Sequence, residues 1–161
     1  EVIVGDITYL PLRGGKFCYL ATFQDKYTRR IVGWQVSQRM TAQLVLDAVN
    51  RARKRGLIKR KAIIHTDRGS QYASVEYRRL LYINDFQQSM SGKGNCYDNA
   101  PIESFWGSLK NELVHHRRYT TRAEAQASIR EYIEVFYNRQ RRHSRLGYLS
   151  PAAFTKKFHA A

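Results

Sequence analysis

The sequence predicts an α/β fold: a mixed sheet, with three antiparallel strands and then two parallel ones, flanked by helices. Near the N-terminus, three segments rich in β-branched and aromatic residues are joined by short polar turns, which favours an antiparallel meander. Two short apolar segments then alternate with segments of helical periodicity. Two further helices follow, so that the predicted order is β-β-β-α-β-α-β-α-α.

The first three strands are predicted at residues 1–10, 16–24 and 30–37. Polar turns that contain Gly14 and Gly15, and then Asp25, separate them. Aspartate is common in turns, so Asp25 is interpreted as a turn residue rather than as part of a site.

The middle of the chain alternates helix and strand. Thr41 is the predicted N-cap of a helix that ends near Gly56, and the segment "KAIIH" is a short buried strand. A second helix is predicted from about Ser74, and a fifth strand lies within "DFQQSM".

The last third of the chain is predicted to be helical. One helix covers about 100–114, with Pro101 in its first turn, and another covers about 121–138 before a basic tail. We expect two units: residues 1–115 as a catalytic core, and residues 116–161 as a C-terminal helix and basic tail that pack on the core or extend it.

Composition narrows the class of protein. The 161 residues carry 28 Lys and Arg against 13 Asp and Glu, a formal net charge of +15, which predicts a polyanionic partner, with nucleic acid first. An anionic membrane is the second candidate, but no segment resembles a basic amphipathic anchor or a membrane span. A soluble protein that is merely basic is the remaining alternative.

Two further features concern the chain's setting. Cys18 and Cys96 lie far apart and lack zinc-site spacing, which favours free thiols in a reducing compartment. The chain begins at Glu1 inside a strand-like segment, and we interpret it as a fragment of a longer protein.

Three acidic residues form the candidate site. Asp67 follows the buried strand in "IIHTDRGSQY", directly before a sharp turn, and Asp6 lies inside the first strand. If that strand is central, a buried carboxylate must be paired, protonated or metal-bound; the alternatives are an edge or bulge position for Asp6 and turn capping for Asp67. Glu103 is the third acid, on the helix near residue 100.

Helical geometry selects Glu103. It lies within about 20° of Lys110 at the border of the apolar stripe, Gly107 lies beside them, and Glu112 projects from the opposite side. Three converging carboxylates would repel one another, by about 4 kcal/mol for a pair 4 Å apart near a surface. Mg²⁺, or Mn²⁺ in its place, relieves such repulsion, and two ions are typical of phosphodiester chemistry.

The sequence also resembles a known family. Thirty-five residues separate Asp67 from Glu103, and the segments "GDITYLP", "IIHTDRGSQYAS", "SMSGKGNCYDNAPIESFWGSLKNEL" and "YNRQRRHSRLGYLSP" resemble the D-D-35-E catalytic domain of transposases from two-frame bacterial insertion sequences. The resemblance covers nearly the whole chain. It implies a ribonuclease-H-like fold, and Mg²⁺-dependent DNA cleavage followed by attack of the 3′-hydroxyl on target DNA.

The resemblance also implies residue roles. Asp6, Asp67 and Glu103 would be the catalytic metal ligands, and Lys110 would contact DNA phosphate near the reacting end. Many relatives carry "SFF" where this chain has "SFW", and we interpret Trp106 as a packing variant. Relatives carry an upstream helix-turn-helix region that recognises the element's ends, and it is missing from this sequence. The resemblance also predicts a homo-oligomer on DNA, in the bacterial cytoplasm at the nucleoid, without a membrane.

Several residues keep two interpretations. Residues 89–99 form either a loop that closes over DNA, with Lys93 on phosphate, or an ordinary connection. Basic residues of the tail either contact the DNA backbone or form a solvated face; they are Arg139, Arg141, Arg142 and Arg145. His65 either supports the metal ligands or is a core histidine. Asp98 and Asn99 are expected to cap the next helix.

Two alternatives to the transposase function stay open at this point. The chain could be a catalytically silent DNA-binding relic of the same fold, or a ribonuclease-H-like nuclease without strand transfer.

Overall fold

The computed structural model of the chain describes residues 1–92 and 99–160. Five strands form one sheet: β1 Val2–Leu12, β2 Lys16–Asp25, β3 Ile31–Ser37, β4 Ile63–Thr66 and β5 Gln87–Met90. Their order across the sheet is β3-β2-β1-β4-β5. The first three strands are antiparallel to one another, whereas β4 is parallel to both β1 and β5. The predicted mixed sheet is therefore confirmed, and β1 is its central strand.

Helices cover both faces of the sheet. They are α1 Ala42–Lys54, α2 Val75–Ile83, α3 Ala100–Glu112, α4 Arg122–Arg130 and α5 Pro151–Ala160. A π-helical stretch, Glu131–Tyr137, continues α4 without a break, so the predicted helix over about 121–138 is confirmed. The tail, in contrast, was predicted without regular structure, and this is wrong for α5.

The start of α5 has a sequence signal that explains it. The hydroxyl of Ser150 accepts a hydrogen bond from the Ala153 amide at 3.2 Å, and Pro151 occupies the first helical position. Serine followed by proline is a common helix start because the serine satisfies a free amide and proline has none to satisfy.

Side chains at the other turns and caps follow the predictions in part. Asp25 Oδ1 accepts the amides of Tyr27 and Thr28, both at 2.9 Å, which confirms the turn interpretation. Ser74 caps α2 by accepting the Tyr77 amide at 3.2 Å. Thr41 and Asn99 are the N-cap residues of α1 and α3, as predicted, although neither side chain makes a capping hydrogen bond; Asp98 lies outside the described residues.

Alternation along β1 separates two apolar layers. Ile3 packs with buried residues of α1 and α2, whereas Val4 packs with buried residues of α3 and α4. Successive side chains of a strand point to opposite faces, so the parity of a residue in β1 decides which helices it meets. Each layer buries large aliphatic and aromatic side chains, and full burial of one contributes about 1.5–3 kcal/mol.

The C-terminal part of the chain packs on this sheet. Ile129 and Ile133 are fully buried in the same layer as Val4. The Asn138 side chain accepts the Ile31 amide and donates to the Ile31 carbonyl, each at 2.9 Å, which fixes the end of the helical segment to β3. Among the described residues, none of the helices has the length and apolar character needed to cross a bilayer.

Candidate active site

The sheet brings Asp6 and Asp67 to the same level. Val4 of β1 pairs with His65 of β4 in parallel register, and each aspartate lies two residues further along its own strand direction. Because β1 has a neighbour on both sides, the alternative of an edge position for Asp6 is wrong. The two carboxylates thus extend from neighbouring strands in the middle of the sheet.

Strand parity places both carboxylates below α3. Asp6 shares the face of Val4, and Val4 packs in the layer that contains Ile102 and Phe105 of α3. Asp67 shares the face of its strand partner His65. Glu103 lies exposed in the first turn of α3, directly after the buried Ile102 in sequence. The fold therefore puts all three acids on one face of the sheet.

The carboxyl group of Asp6 has a raised pKa. Burial raises its pKa, while hydrogen bonds from Trp106 and from the Ile7 amide lower it and the negative charges of Asp67 and Glu103 raise it. The balance is a raised pKa. Both other acids therefore lie within electrostatic reach of Asp6, and the site disfavours an additional negative charge.

Trp106 donates a hydrogen bond from Nε1 to Asp6 Oδ2 at 2.9 Å. Trp106 packs in the apolar layer as interpreted, but that interpretation was incomplete, because the indole N–H also binds the carboxylate of Asp6. The helical phase placed Trp106 on the apolar stripe correctly, since the residue is 8% exposed. Nothing in that phase distinguishes the ring of a tryptophan from that of a phenylalanine, but only tryptophan has a donor, and a buried N–H requires an acceptor.

Asp67 is oriented by the turn that follows it. Its Oδ1 accepts the Gly69 amide at 2.8 Å. A Cβ at position 69 would lie 3.0 Å from that same oxygen and 2.8 Å from Gln71 Oε1. A glycine at this position therefore leaves the exposed carboxylate of Asp67 uncrowded.

The donor atoms suit a hard divalent cation, but they are not preassembled. Within residues 1–92 and 99–160, no group of three or more His, Cys, Asp or Glu side chains is arranged to hold a metal ion. Three anionic groups repel one another, which opposes a closed arrangement. Asp6 and Asp67 each use one carboxylate oxygen in the hydrogen bonds described above, and carboxylate oxygens are the ligands that Mg²⁺ and Mn²⁺ take.

The flank of α3 beside Glu103 is open. Among the described residues, no atom lies within 4 Å of the position that a Cβ would take at Gly107. Lys110 Nζ lies 5.6 Å from the centroid of the Tyr9 ring, a cation–π distance, and the Tyr9 ring meets Phe17 edge-on at 5.3 Å. Lys110 is thus held on an aromatic surface on the same side of the helix as Glu103.

His65 connects β4 to the end of β5. Its Nδ1 is 2.8 Å from Ser89 Oγ, and its Nε2 is 3.0 Å from Ser91 Oγ. Arg68 Nε also donates to the Ser91 carbonyl at 2.9 Å, beside the Asp67 turn. Both ring nitrogens therefore have hydroxyl partners at the strand ends that carry the site.

The basic residues predicted to contact DNA fall into separate places. Arg139 is exposed after the π-helical stretch, and Lys93 lies outside the described residues. Arg141, Arg142 and Arg145 line a cavity of about 540 Å³ that also touches α3.

Tyr72 is a second residue that sequence reasoning missed. It is 1% exposed, and its hydroxyl has no hydrogen-bond partner among the described residues. Burial, followed by the charge of Asp6, raises the pKa of this phenol well above its ordinary value. It stands in "HTDRGSQYAS", within the turn region that follows Asp67.

Comparison with known families gives two matches. A family model described as an integrase core domain matches residues 1–96, and a second model with the same description matches residues 84–151. The three acids lie within the matched ranges.

Curated relatives are similar over nearly the whole chain. The 31 kDa protein of insertion element IS600 from Shigella sonnei is 51% identical over 99% of this chain, which covers 58% of that protein. Transposase InsF of insertion sequence IS3A from Escherichia coli is 48% identical over 95% of this chain, which covers 53% of that protein. The chain thus spans a little more than half the length of the curated relatives it matches.

Solved structures share the fold. The integrase catalytic core domain of HTLV-2 in complex with magnesium superposes with a TM-score of 0.72 at 13% identity, over 96% of this chain and 95% of that one. The catalytic core domain of BIV integrase gives a TM-score of 0.67 at 15% identity, over 99% and 96%. The ribonuclease-H-like architecture implied by the sequence resemblance is confirmed.

Proposed function

The chain belongs to the integrase core domain family, and from this membership we propose that it is the catalytic domain of an insertion-sequence transposase. It cleaves DNA at the element's ends and joins the resulting 3′-hydroxyl to target DNA. In the joining step the hydroxyl oxygen bonds to phosphorus and gives up its proton to solvent. The bond from phosphorus to the leaving 3′ oxygen breaks, and that oxygen takes up a proton from solvent. The protein forms no covalent bond with DNA.

The proposal assigns a role to each acid. Asp6, Asp67 and Glu103 hold Mg²⁺, or Mn²⁺ in its place, through their carboxylate oxygens. When bound, such ions activate the attacking hydroxyl and neutralise charge on the reacting phosphate. Hydrogen bonds from the Trp106 indole and the Gly69 amide orient the carboxylates of Asp6 and Asp67.

One observation carries the proposal. In a chain of net charge +15, an aspartate inside the central strand β1 lies level with an aspartate directly after the parallel strand β4, beneath a helix that carries an exposed glutamate. The raised pKa of Asp6 reflects burial and the charges of the other two acids. A carboxyl group with a raised pKa beside further acidic residues is typical of catalytic sites.

The partners are proposed on the same basis. The substrates are the DNA of the element's ends and the target DNA, and the working form is a homo-oligomer assembled on DNA. An oligomer is consistent with a step that must join two ends to one target. The solved paired-end complex of Mos1 transposase with its left transposon end matches this fold with a TM-score of 0.64.

The test is a strand-transfer assay on a branched oligonucleotide whose free 3′-hydroxyl already lies beside the phosphodiester. This substrate suits a chain that covers little more than half of its relatives, because it demands no recognition of the element's end. With Mg²⁺ or Mn²⁺, the wild-type chain should yield rejoined product. Asp67→Asn should bind the same DNA and yield none, which represents a loss of several orders of magnitude.

Other outcomes identify the alternatives. Nicks without rejoining would indicate a ribonuclease-H-like nuclease. Tight binding without any product from the wild-type chain would indicate a DNA-binding relic, the reading that the lack of a preassembled ligand group among the described residues favours. Rejoining at the wild-type rate by Asp67→Asn would remove that residue from the site.

A further inference from the structure

A basic cavity of about 540 Å³ lies on the flank of α3 that faces away from Lys110. Ala100, Ser104 and Ser108 of α3 form one wall at helical spacing. Cationic side chains from two distant segments form much of the remainder: Lys26, Arg29, Arg141, Arg142 and Arg145. We call this space the basic cavity.

Little in the protein neutralises these cations. None of the described residues that line the basic cavity is acidic. Arg141 is paired, since its Nε lies 2.8 Å from Glu112 Oε1. Burial lowers the pKa of Arg29, and the charge of Arg145 lowers it further. The fold therefore holds like charges together against their repulsion, which an anion in the cavity would relieve.

The cavity also offers neutral hydrogen-bonding groups. Ser104, Ser108 and Ser144 contribute hydroxyls to its lining. His143 lines it as well, and its buried Nε2 has no hydrogen-bond partner within the described part of the chain. Burial, reinforced by Arg141 and Arg29, lowers the pKa of His143 to about 4, so the ring is neutral at pH 7. Hydroxyls and forked guanidinium groups together match the oxygens of a phosphate group.

The cavity and the acidic site share one helix. On α3, Ser104 follows Glu103 directly, so their side chains diverge by about 100° around the axis. An α-helix with its side chains is about 10–12 Å across, and duplex DNA rises 3.4 Å per base pair on each strand. A strand that passes over α3 from Glu103 would reach the cavity within about three or four nucleotides.

We propose that the basic cavity binds backbone phosphate of DNA a few nucleotides from the reacting phosphodiester. This deepens the proposed function, because DNA is the substrate named there. The contact is blind to sequence, since phosphates carry no base information. Its contribution is to fix the strand's register over α3, so that one particular phosphodiester lies beside Asp6, Asp67 and Glu103.

The test measures DNA binding without chemistry. A fluorescein-labelled random-sequence duplex of 20 base pairs is titrated with the chain in EDTA, and anisotropy gives the affinity at several salt concentrations. Each phosphate contact contributes about −0.9 to the slope of log affinity against log salt. The double variant Arg142→Gln, Arg145→Gln should make the slope less negative by about two and weaken binding at 0.1 M salt on the order of tenfold or more.

Two matched variants distinguish phosphate binding in the basic cavity from a general effect of the protein's positive charge. Arg78→Gln, Arg79→Gln removes the same charge from the exposed surface of α2 and should change the slope by much less. Arg142→Lys, Arg145→Lys keeps the charge and should retain most of the slope. Equal effects of the two glutamine double variants would overturn the proposal, provided circular dichroism shows that both fold.

Two further ligands serve as controls. A single strand of the same sequence is titrated in the same way, to show whether the cavity prefers single-stranded or duplex DNA. Binding of either form supports a backbone contact if its affinity depends on Arg142 and Arg145. Polyglutamate at equal charge should compete poorly; competition equal to that of unlabelled DNA would show an unspecific anion site and overturn the assignment to DNA.

The readout separates this inference from the proposed function. Asp67→Asn should bind with the wild-type slope even though it transfers no strand. If strand transfer fails in every form of the chain while the slope still depends on Arg142 and Arg145, only the catalytic proposal is lost. If transfer succeeds but the slope ignores these arginines, only the cavity proposal is lost.

Discussion

The indole N–H of Trp106 donates a 2.9 Å hydrogen bond to Oδ2 of Asp6, across 100 positions of sequence. It joins the apolar stripe of α3 to the central strand at the point where that strand carries its carboxylate. Trp106 thus has two functions at once: its ring fills the layer that contains Phe105 and Val4, and its N–H fixes one oxygen of the proposed site.

Replacing Trp106 by phenylalanine should separate these two functions. Trp106→Phe keeps an aromatic ring in the apolar layer but removes the donor to Asp6. Groups that orient metal-binding carboxylates typically change metal affinity or activity by 10- to 100-fold. We expect a loss in that range for Mn²⁺ affinity, measured by titration calorimetry, and for strand transfer, while circular dichroism remains that of the wild type.

A matched control is available at the other buried indole near an acid. Trp34 Nε1 lies 3.3 Å from Glu134 Oε1, remote in sequence from the three acids. Trp34→Phe should leave Mn²⁺ affinity unchanged. If both phenylalanine variants lose affinity equally, the effect comes from general packing and Trp106 has no specific role toward Asp6.

Asp6→Asn should stabilise the protein in EDTA. Burial is the main reason that the pKa of Asp6 is raised, so the folded state is penalised for carrying the charge at neutral pH. Asparagine removes the charge and can still accept from Trp106. A gain on the order of 1 kcal/mol in the free energy of unfolding would raise the melting temperature by roughly 2–4 °C. A lower melting temperature than wild type would contradict this account.

The same comparison has a defined pH dependence. A raised folded-state pKa means that the folded protein binds the proton more tightly than the unfolded chain, whose Asp titrates near 3.8. The penalty is therefore complete above the folded pKa and disappears as the pH falls through it toward 3.8. The gap in melting temperature between Asp6→Asn and wild type should be largest at pH 7.5 and should narrow at lower pH.

Much of the fold could be predicted from sequence because it rests on local patterns. β-Branched segments, short turns and apolar spacing are sufficient for the five strands and four of the helices. The central position of β1 depends on pairing with β4, and a buried Asp6 pointed to it only indirectly. The helix α5 was missed because the basic residues before it dominated the interpretation, although Ser150 and Pro151 signal its start.

The acidic residues of the candidate site could be predicted from the sequence, but the side chains that contact them could not. Asp6, Asp67 and Glu103 were selected by position, and the fold places them on one face of the sheet. The hydrogen bond of Trp106 and the burial of Tyr72 depend on packing between α3, β1 and the Asp67 turn, which no local pattern encodes. The basic cavity likewise needs the chain to return beside α3, a long-range contact.

The side chain of Glu112 points away from Glu103, as predicted, but it makes contacts that the sequence did not reveal. Helical phase placed Glu112 on the side of α3 opposite Glu103. A substitution of Glu112 would therefore be expected to have little effect on the proposed site. The structure shows that its carboxylate accepts Tyr132 Oη at 2.7 Å and Arg141 Nε at 2.8 Å. It therefore attaches the segment that carries the cavity arginines to the end of α3.

Glu112→Gln should accordingly be destabilising. The Glu112 side chain is 33% exposed, so solvent screening limits the loss to about 1 kcal/mol, or roughly 2–4 °C in melting temperature. The exposed Glu131, replaced in the same way, is the matched control and should change the melting temperature by less than 1 °C, roughly the scale of a neutral surface substitution. Identical melting temperatures for both variants would show that the contact with Arg141 contributes nothing measurable.

Gly107→Ala should make the protein more stable and less active. Gly107 is an exposed residue inside α3, its φ is not positive, and an added Cβ would meet no atom of residues 1–92 or 99–160 within 4 Å. Alanine should therefore add about 0.5–1 kcal/mol of helix stability. The residue lies on the flank of Glu103 and Lys110, where the proposed function brings DNA against the helix. A methyl group there should lower strand transfer severalfold at saturating metal, measured on the branched oligonucleotide. Strand transfer at the wild-type rate by Gly107→Ala would mean that DNA does not approach this flank of α3 closely.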